Sequence, residues 1–348
     1  PGGSLADRSR RHLLMSVALL MTACSAICLS TLPQSVLALI LLWVVMAVAG
    51  NLLFWSSLVA SVRQAGDGSD SGIAFGIEQS SRGVIAAMLS NFLLVLAERH
   101  DQHKFLAVLR AMIILAGLSA LMVFFLMPPQ TAHARHLLGA SQPGREAKVP
   151  PTERFVWLLA AIIGATYVGN VTTQYFAQFA HDVVGLSVAE AGRLATIAFV
   201  MRGCSSILAG RAADSWGKTR VAIVLFSGLI ASYLCLALTP LRLLSPATLA
   251  VEMGCASGCV FGLTAIYFSL LDEVGLSQEE TGTIVGIVST AGFFPGDVLM
   301  GPLAGHVLDA YPSPTGFRLL MYFAALVGVL GLLATVGFRH EVRIRKLG

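Results

Sequence analysis

Charge is scarce in this chain. Asp, Glu, Lys and Arg make up 12% of its 348 residues, about half of the roughly 25% found in soluble domains. So little charge leaves too little polar surface for a water-facing body, which excludes an ordinary soluble enzyme and a disordered chain. The six cysteines contain no Cys-x-x-Cys pair, so a zinc ribbon, a redox motif and a disulfide scaffold are not supported. Cys24, Cys28, Cys204, Cys235, Cys255 and Cys259 lie in apolar runs and are expected to pack as small apolar residues. His-Glu-x-x-His is missing. Gly217-Lys218-Thr219 has Ala212 where a phosphate-binding loop needs glycine. No cofactor and no metal site is therefore expected. Period-two alternation is also lacking, which argues against a β-barrel. The chain opens Pro1-Gly2-Gly3 without an initiator Met or a signal-peptide pattern.

What the chain has is apolar length. Hydrophobic residues reach 56% and the mean hydropathy is +0.78. A bilayer core of about 30 Å takes about 20 residues of helix. Ten stretches qualify, near 13–32, 34–62, 73–97, 104–127, 155–180, 189–209, 221–239, 246–271, 282–305 and 317–338. The fold class is therefore an all-α polytopic membrane protein. Fifteen basic residues fall in the segments on the side that holds both termini, including Arg63, Arg135, Arg145, Lys148, Arg211 and Arg220. Four fall on the other side: Arg99, Lys104, Arg242 and Arg318. This bias places both termini in the cytoplasm of a multi-pass protein of the cell membrane. It also explains the net charge of +4 without nucleic acid. The hydrophilic stretch 128–153 carries Pro128-Pro129, Pro143-Gly144 and Pro150-Pro151, so it reads as a central cytoplasmic loop. Four spans precede it, in 1–127, and six follow, in 154–348.

A repeat crosses that division. Gly3-Ser4-Leu5-Ala6-Asp7-Arg8-Ser9-Arg10-Arg11 precedes one span. Gly210-Arg211-Ala212-Ala213-Asp214-Ser215-Trp216-Gly217-Lys218 precedes another. Both read Gly-x-x-Ala-Asp followed by basic residues. Gly72-x-x-x-Gly76-Ile77 is echoed by Gly282-x-x-x-Gly286-Ile287 at nearly the same offset. A duplicated bundle explains both echoes. Two spans precede the second motif and none precedes the first, so the chain is expected to lack two leading helices of a six-plus-six unit. The loop at 3–11 resembles the signature between helices two and three of the major facilitator superfamily, and 210–218 resembles its echo between helices eight and nine. The resemblance covers essentially the whole chain. It implies a two-bundle fold with helices three to six in 1–127 and seven to twelve in 154–348. Arg10 departs from the usual glycine, and the third span has no Gly-Pro pair, so the antiporter signature of helix five is missing.

Polar groups inside spans are costly and usually face a cavity or a partner. Glu78 and Arg82 stand one turn apart on the third span, as a coupling pair or a structural ion pair. Arg202 lies inside the sixth span, where it can bind an anion, pair with an acid or snorkel. Asp297 follows Pro295-Gly296, where a kink and a buried carboxyl can serve proton transfer or a helix contact. Tyr167, Asn170, Gln174 and Gln178 make the fifth span polar, the last three at four-residue spacing. The resemblance implies that this span, as helix seven, lines the substrate cavity. Asn51 and Trp55 on the second span are further candidates for substrate contact. The resemblance also implies that the motif loops act as conformational latches, through Asp7, Arg8 and Arg11 in one copy and Asp214 and Lys218 in the other. Asp7 would dock near 281–283 and Asp214 near 72–74.

The expected function is secondary transport of a small solute by alternating access, as proton-coupled symport of an organic anion or sugar. An exporter or antiporter of the same superfamily is the alternative, followed by a non-transporting receptor or scaffold. The chain is not expected to be an enzyme. Its expected partners are a small-molecule substrate, a co-transported proton and the lipid bilayer, with the protein as a monomer.

Overall fold

The computed structural model describes residues 11–31, 35–65, 71–99, 104–127, 153–274 and 278–347. Helices account for nearly all of them, and no strand occurs among the described residues. In chain order these are α1 (Arg11–Ser30), α2 (Val36–Ala47), α3 (Ser56–Ala65), α4 (Ser71–Arg99), α5 (Lys104–Leu126), α6 (Arg154–Thr172), α7 (Phe176–Asp182), α8 (Val188–Trp216), α9 (Lys218–Leu238), α10 (Pro246–Ile266), α11 (Gln278–Phe294), α12 (Met300–Ala310) and α13 (Thr315–Leu347). A π-helical stretch, Val48–Trp55, joins α2 to α3, and another, Pro295–Leu299, joins α11 to α12. A 3₁₀ turn, Thr173–Tyr175, joins α6 to α7. Three of the expected spans are therefore continuous but irregular inside. Among the described residues, eight segments are long and apolar enough to cross a membrane. The more polar α4 and α8, at 29 residues each, account for the other two expected stretches.

Contacts group the chain into two compact units. One comprises Pro1–Ala65, Asn91–Lys148 and Ser277–Gly286; the other comprises Gly66–Ser90, Val149–Leu276 and Ile287–Gly348. In the first, α1 packs on α5 and on the Val48–Trp55 stretch. It buries Met15, Ala18 and Ala26 against Leu109 and Ala120 of α5 and Ala49. In the second, α8 packs on α10, α9 on α10 and α13, and α6 on α13. Phe155, Leu159, Ile162 and Ile163 of α6, Phe226, Leu229 and Tyr233 of α9, Leu249 of α10 and Phe338 of α13 are fully buried. The Tyr233 hydroxyl donates to the Gly169 carbonyl at 2.7 Å, so its burial leaves no polar atom unpaired.

Local chemistry sets the helix ends. Ser187 and Glu190 form a reciprocal capping box at the start of α8. Ser245 and Thr248 do the same for α10, with Pro246 in its first turn. Between α8 and α9 a single residue, Gly217, turns the chain at φ 96°, a conformation costly to any residue with a Cβ. Large apolar side chains such as Met88, Phe125, Leu208, Val224 and Leu333 point outward, as lipid contact requires. The cysteines correct an expectation. They are free thiols, and all but half-buried Cys259 are exposed rather than packed in the core, because they fall on the outward faces of their helices.

Candidate functional site

The site is built where α4 meets α8. Gly72, Gly76 and Gly83 of α4 face Gly210, Ser206 and Gly203 of α8. A Cβ at Gly76 would lie 2.7 Å from the Ser206 carbonyl oxygen, and one at Gly83 would lie 2.6 Å from the Gly203 nitrogen. Glycine is required here for close approach, the way helices gain contact in lipid. The two antiparallel backbones are thereby in contact, and residues 78–82 are carried up to Arg202.

Arg202 is half-buried. Its Nε donates to Gln79 Oε1 at 3.1 Å and its Nη2 to the same oxygen at 2.5 Å. The guanidinium carbon sits 4.9 Å from the centre of the Phe261 ring of α10, a cation–π distance. One turn along α4, Arg82 Nη1 pairs with Glu78 Oε1 at 3.3 Å. Glu78, Arg82 and Arg202 lie in one another's electrostatic field, together with the Tyr167 and Tyr267 hydroxyls. Tyr267 is buried at the end of α10, beside Phe268, which packs on Phe75 of α4.

Tyr167 links this cluster to the π-helical stretch. Its hydroxyl donates to Asp297 Oδ1 at 2.8 Å, and its ring lies 4.8 Å from that of Phe293. Gly296 faces the Tyr167 ring so closely that a side chain there would collide. Pro295 opens the stretch by removing a backbone donor, and Asp297 is exposed two residues on. Asn170, one turn beyond Tyr167, is half-buried, and Gln174 and Gln178 are exposed. The adjoining face of this segment, through Val168, Val171 and Tyr175, packs on Met300, Ala304 and Leu320.

The second motif copy lies at the end of the same α4–α8 contact. Asp214 Oδ2 accepts the Ile73 backbone N–H at 2.9 Å, within the first turn of α4. Donors there lack intrahelical partners and the helix dipole favours a carboxylate. Lys218 is turned elsewhere, pairing with Asp272 Oδ2 at 2.6 Å. Glu273 accepts from the Thr219 backbone N–H at 3.2 Å and from its hydroxyl. The acidic segment after α10 thus caps α9. In the first copy, Asp7 and Arg8 lie outside the described residues, and Arg11 is buried at the start of α1. Trp55 is half-buried at the end of its π-helical stretch. Asn51 is in the same stretch, but its side chain lies outside the described residues.

The Glu78–Arg82 pair, Arg202 and Tyr167, separate candidates in the sequence, therefore share one cluster, with Asp297 bound to Tyr167. Gln79, Phe261 and Tyr267 join them unannounced. Gln79 carried a usable signal, a polar amide beside Glu78 on an otherwise small-residue face. Phe261 and Tyr267 carried none, because aromatic residues in an apolar span most often serve packing.

The family model described as Major Facilitator Superfamily matches residues 1–296. The chain is 21% identical to "Inner membrane protein YihN" of Escherichia coli (strain K12) over 353 residues, covering 98% of this chain and 82% of that protein. A crystal structure of a bacterial homologue of the iron transporter ferroportin, in an outward-facing state, is similar with TM-score 0.65 at 14% identity, covering 97% of this chain and 86% of that one. A structure of such a homologue with soaked iron is similar with TM-score 0.65 at 15% identity, covering 97% and 85%. At these identities the solved structures share the fold.

Proposed function

The chain belongs to the Major Facilitator Superfamily and is a multi-pass membrane transporter, and on that premise we propose that it carries a small organic anion together with a proton by alternating access. One observation carries the substrate class: the guanidinium of Arg202 is hydrogen-bonded by a neutral amide, while the glutamate of the cluster pairs with Arg82. With Asp297 protonated, two arginines face one glutamate and leave a positive charge in a low-dielectric span, where an anion binds more strongly than in water. This favours the anion over the sugar. The iron in the titles of the solved neighbours belongs to those proteins, and an arginine-rich cluster is unsuited to a cation.

Asp297 supplies the coupling. Protonated, it is neutral and leaves the excess positive charge to the anion. Ionised, it adds a negative charge beside Tyr167, which lies in the field of both arginines, and weakens anion binding. Proton and anion then load and leave together. The bundles are 1–127 and 154–348, with both termini cytoplasmic and the protein monomeric. Asn170, Gln174 and Gln178 line the pathway beyond Tyr167, and Asn51 and Trp55 are further candidates for substrate contact. Asp214 and Asp7 act as latches of the cytoplasm-closed state, Asp7 with Arg8 and Arg11 of its own motif, while Lys218 holds the second loop through Asp272. The protein catalyses no covalent reaction.

The test is uptake into vesicles containing the purified protein. Gluconate and glucose are a matched pair, alike in carbon number and differing in charge. Gluconate should accumulate under an inward proton gradient, and Arg202→Gln should abolish its saturable uptake. Glucose uptake that survives Arg202→Gln, with gluconate ignored, would replace the anion with a sugar. Gluconate driven outward by the same gradient would make the protein an antiporter.

A further inference from the structure

Gln79 is only 2% exposed, and its side-chain oxygen receives both Nε and Nη2 of Arg202. A guanidinium presents five N–H donors in a rigid planar fork. One oxygen shared by Nε and Nη2 occupies a side edge of that fork. Among the described residues nothing hydrogen-bonds the end edge, formed by Nη1 and the second Nη2 proton. Two parallel N–H groups at that edge match the two oxygens of a carboxylate. Phe261 lies against the guanidinium and restricts its tilt.

The chemical identity of residue 79 matters as much as its position. Glutamate has the same shape and would take the same two protons, but it would add a full negative charge. A buried Arg–Glu pair is internally neutral and has little left for an anionic ligand. Glutamine orients the guanidinium without cancelling it. The neighbouring carboxylate, Glu78, is directed to Arg82, because successive residues of a helix point about 100° apart. The acid at 78 serves one arginine and the amide at 79 serves the other.

We propose that Gln79 is a positioning residue that sets substrate specificity. It holds Arg202 in one plane, charged and with its end edge free, so that the site selects a solute with one terminal carboxylate. Neutral analogues are rejected because they leave the arginine unpaired. With Asp297 protonated the cluster carries one positive charge in excess, which a monocarboxylate neutralises and a phosphate dianion overshoots. The proposal rests on the anion assignment above.

The experiment uses the full chain in vesicles with three probes, gluconate, glucose and inorganic phosphate. Gln79→Glu should raise the gluconate KM by about tenfold or more, since the hydrogen bonds survive and only the charge changes. Gln79→Met, which loses the acceptor at similar volume, should raise KM severalfold and leave the maximal rate within about twofold, a split that a loss of folded protein does not produce. Should Gln79→Glu fail to fold, the Gln79→Met split decides. A gluconate KM within about twofold of wild type in both variants, with uptake still lost in Arg202→Gln, would overturn the role of Gln79 and leave the anion assignment standing. Wild-type preference for glucose would overturn the anion assignment itself. Wild-type preference for phosphate over gluconate would overturn the carboxylate.

Discussion

Asp214 and Ile73 lie 141 positions apart in sequence, yet the carboxylate of one accepts the backbone N–H of the other at 2.9 Å. The contact ties the end of α8 to the first turn of α4. It sits one step beyond the facing Gly72 and Gly210, where a Cβ on Gly72 would fall 2.5 Å from Asp214 Oδ1. Carboxylate, orphan donors and glycine thus form one closed joint.

Opening that joint should shift a conformational population. A carboxylate at a helix N-terminus contributes about 0.3–1 kcal/mol when exposed and up to about 2 when partly buried. Asp214→Asn should lose about that much, and Gly72→Ala should act in the same direction by expelling the side chain. Spin labels at positions 71 and 216 would read the change as a growing long-distance population. An unchanged distance distribution in both variants would leave the loop a topology signal only.

The glycine face between α4 and α8 should tolerate no side chain. Gly83→Val would drive a branched group into the Gly203 nitrogen and the Phe199 carbonyl. Overpacking of this kind costs about 1–3 kcal/mol. The thermal midpoint of the purified protein should fall, whereas Gly117→Val on α5, where open space surrounds the glycine, should leave it nearly unchanged.

Tyr167 and Asp297 should separate coupling from binding. Asp297→Asn keeps a neutral side chain at every pH, so gluconate exchange should persist while proton-driven accumulation is lost. Wild-type accumulation should grow with an inward proton gradient, and the variant should lose that dependence. Tyr167→Phe removes the hydroxyl that donates to Asp297 and should weaken accumulation without abolishing exchange. Accumulation at wild-type levels in Asp297→Asn would remove this carboxyl from the coupling path.

Topology has a direct check. Cysteine placed at position 140 in the central loop should react with an impermeant thiol reagent only after the membrane is opened. Cysteine at Arg242, in the short turn Leu241–Leu243, should react from outside. The reverse pattern would invert the orientation read from the basic residues.

The polar stripe tests the pathway. Gln174→Ala should raise the gluconate KM by more than Leu208→Ala, whose side chain is 68% exposed on an apolar face. Equal effects would assign the stripe to helix contacts.

Hydropathy is a local quantity, and the sequence alone determined what depends on local quantities. The apolar stretches match the helices to within several residues, with α13 running furthest past its expected end. Pro295 marked the place where the helix turns π. The polar positions 78, 82, 202 and 297 stood out because charge inside an apolar run is costly wherever it occurs. Pairing is not local. Arg202 meets Gln79 across 123 positions and Tyr167 meets Asp297 across 130, and each meeting depends on how two helices are rotated and how closely they approach. The sequence left it open whether Arg202 would bind an anion, pair with an acid or snorkel, and its partner Gln79 is none of these. Lys218 could equally have stayed with Asp214 in its own motif, but it reaches Asp272. Only tertiary packing decided these, because the glycine faces of α4 and α8 bring together backbones, and with them side chains, that the sequence keeps far apart.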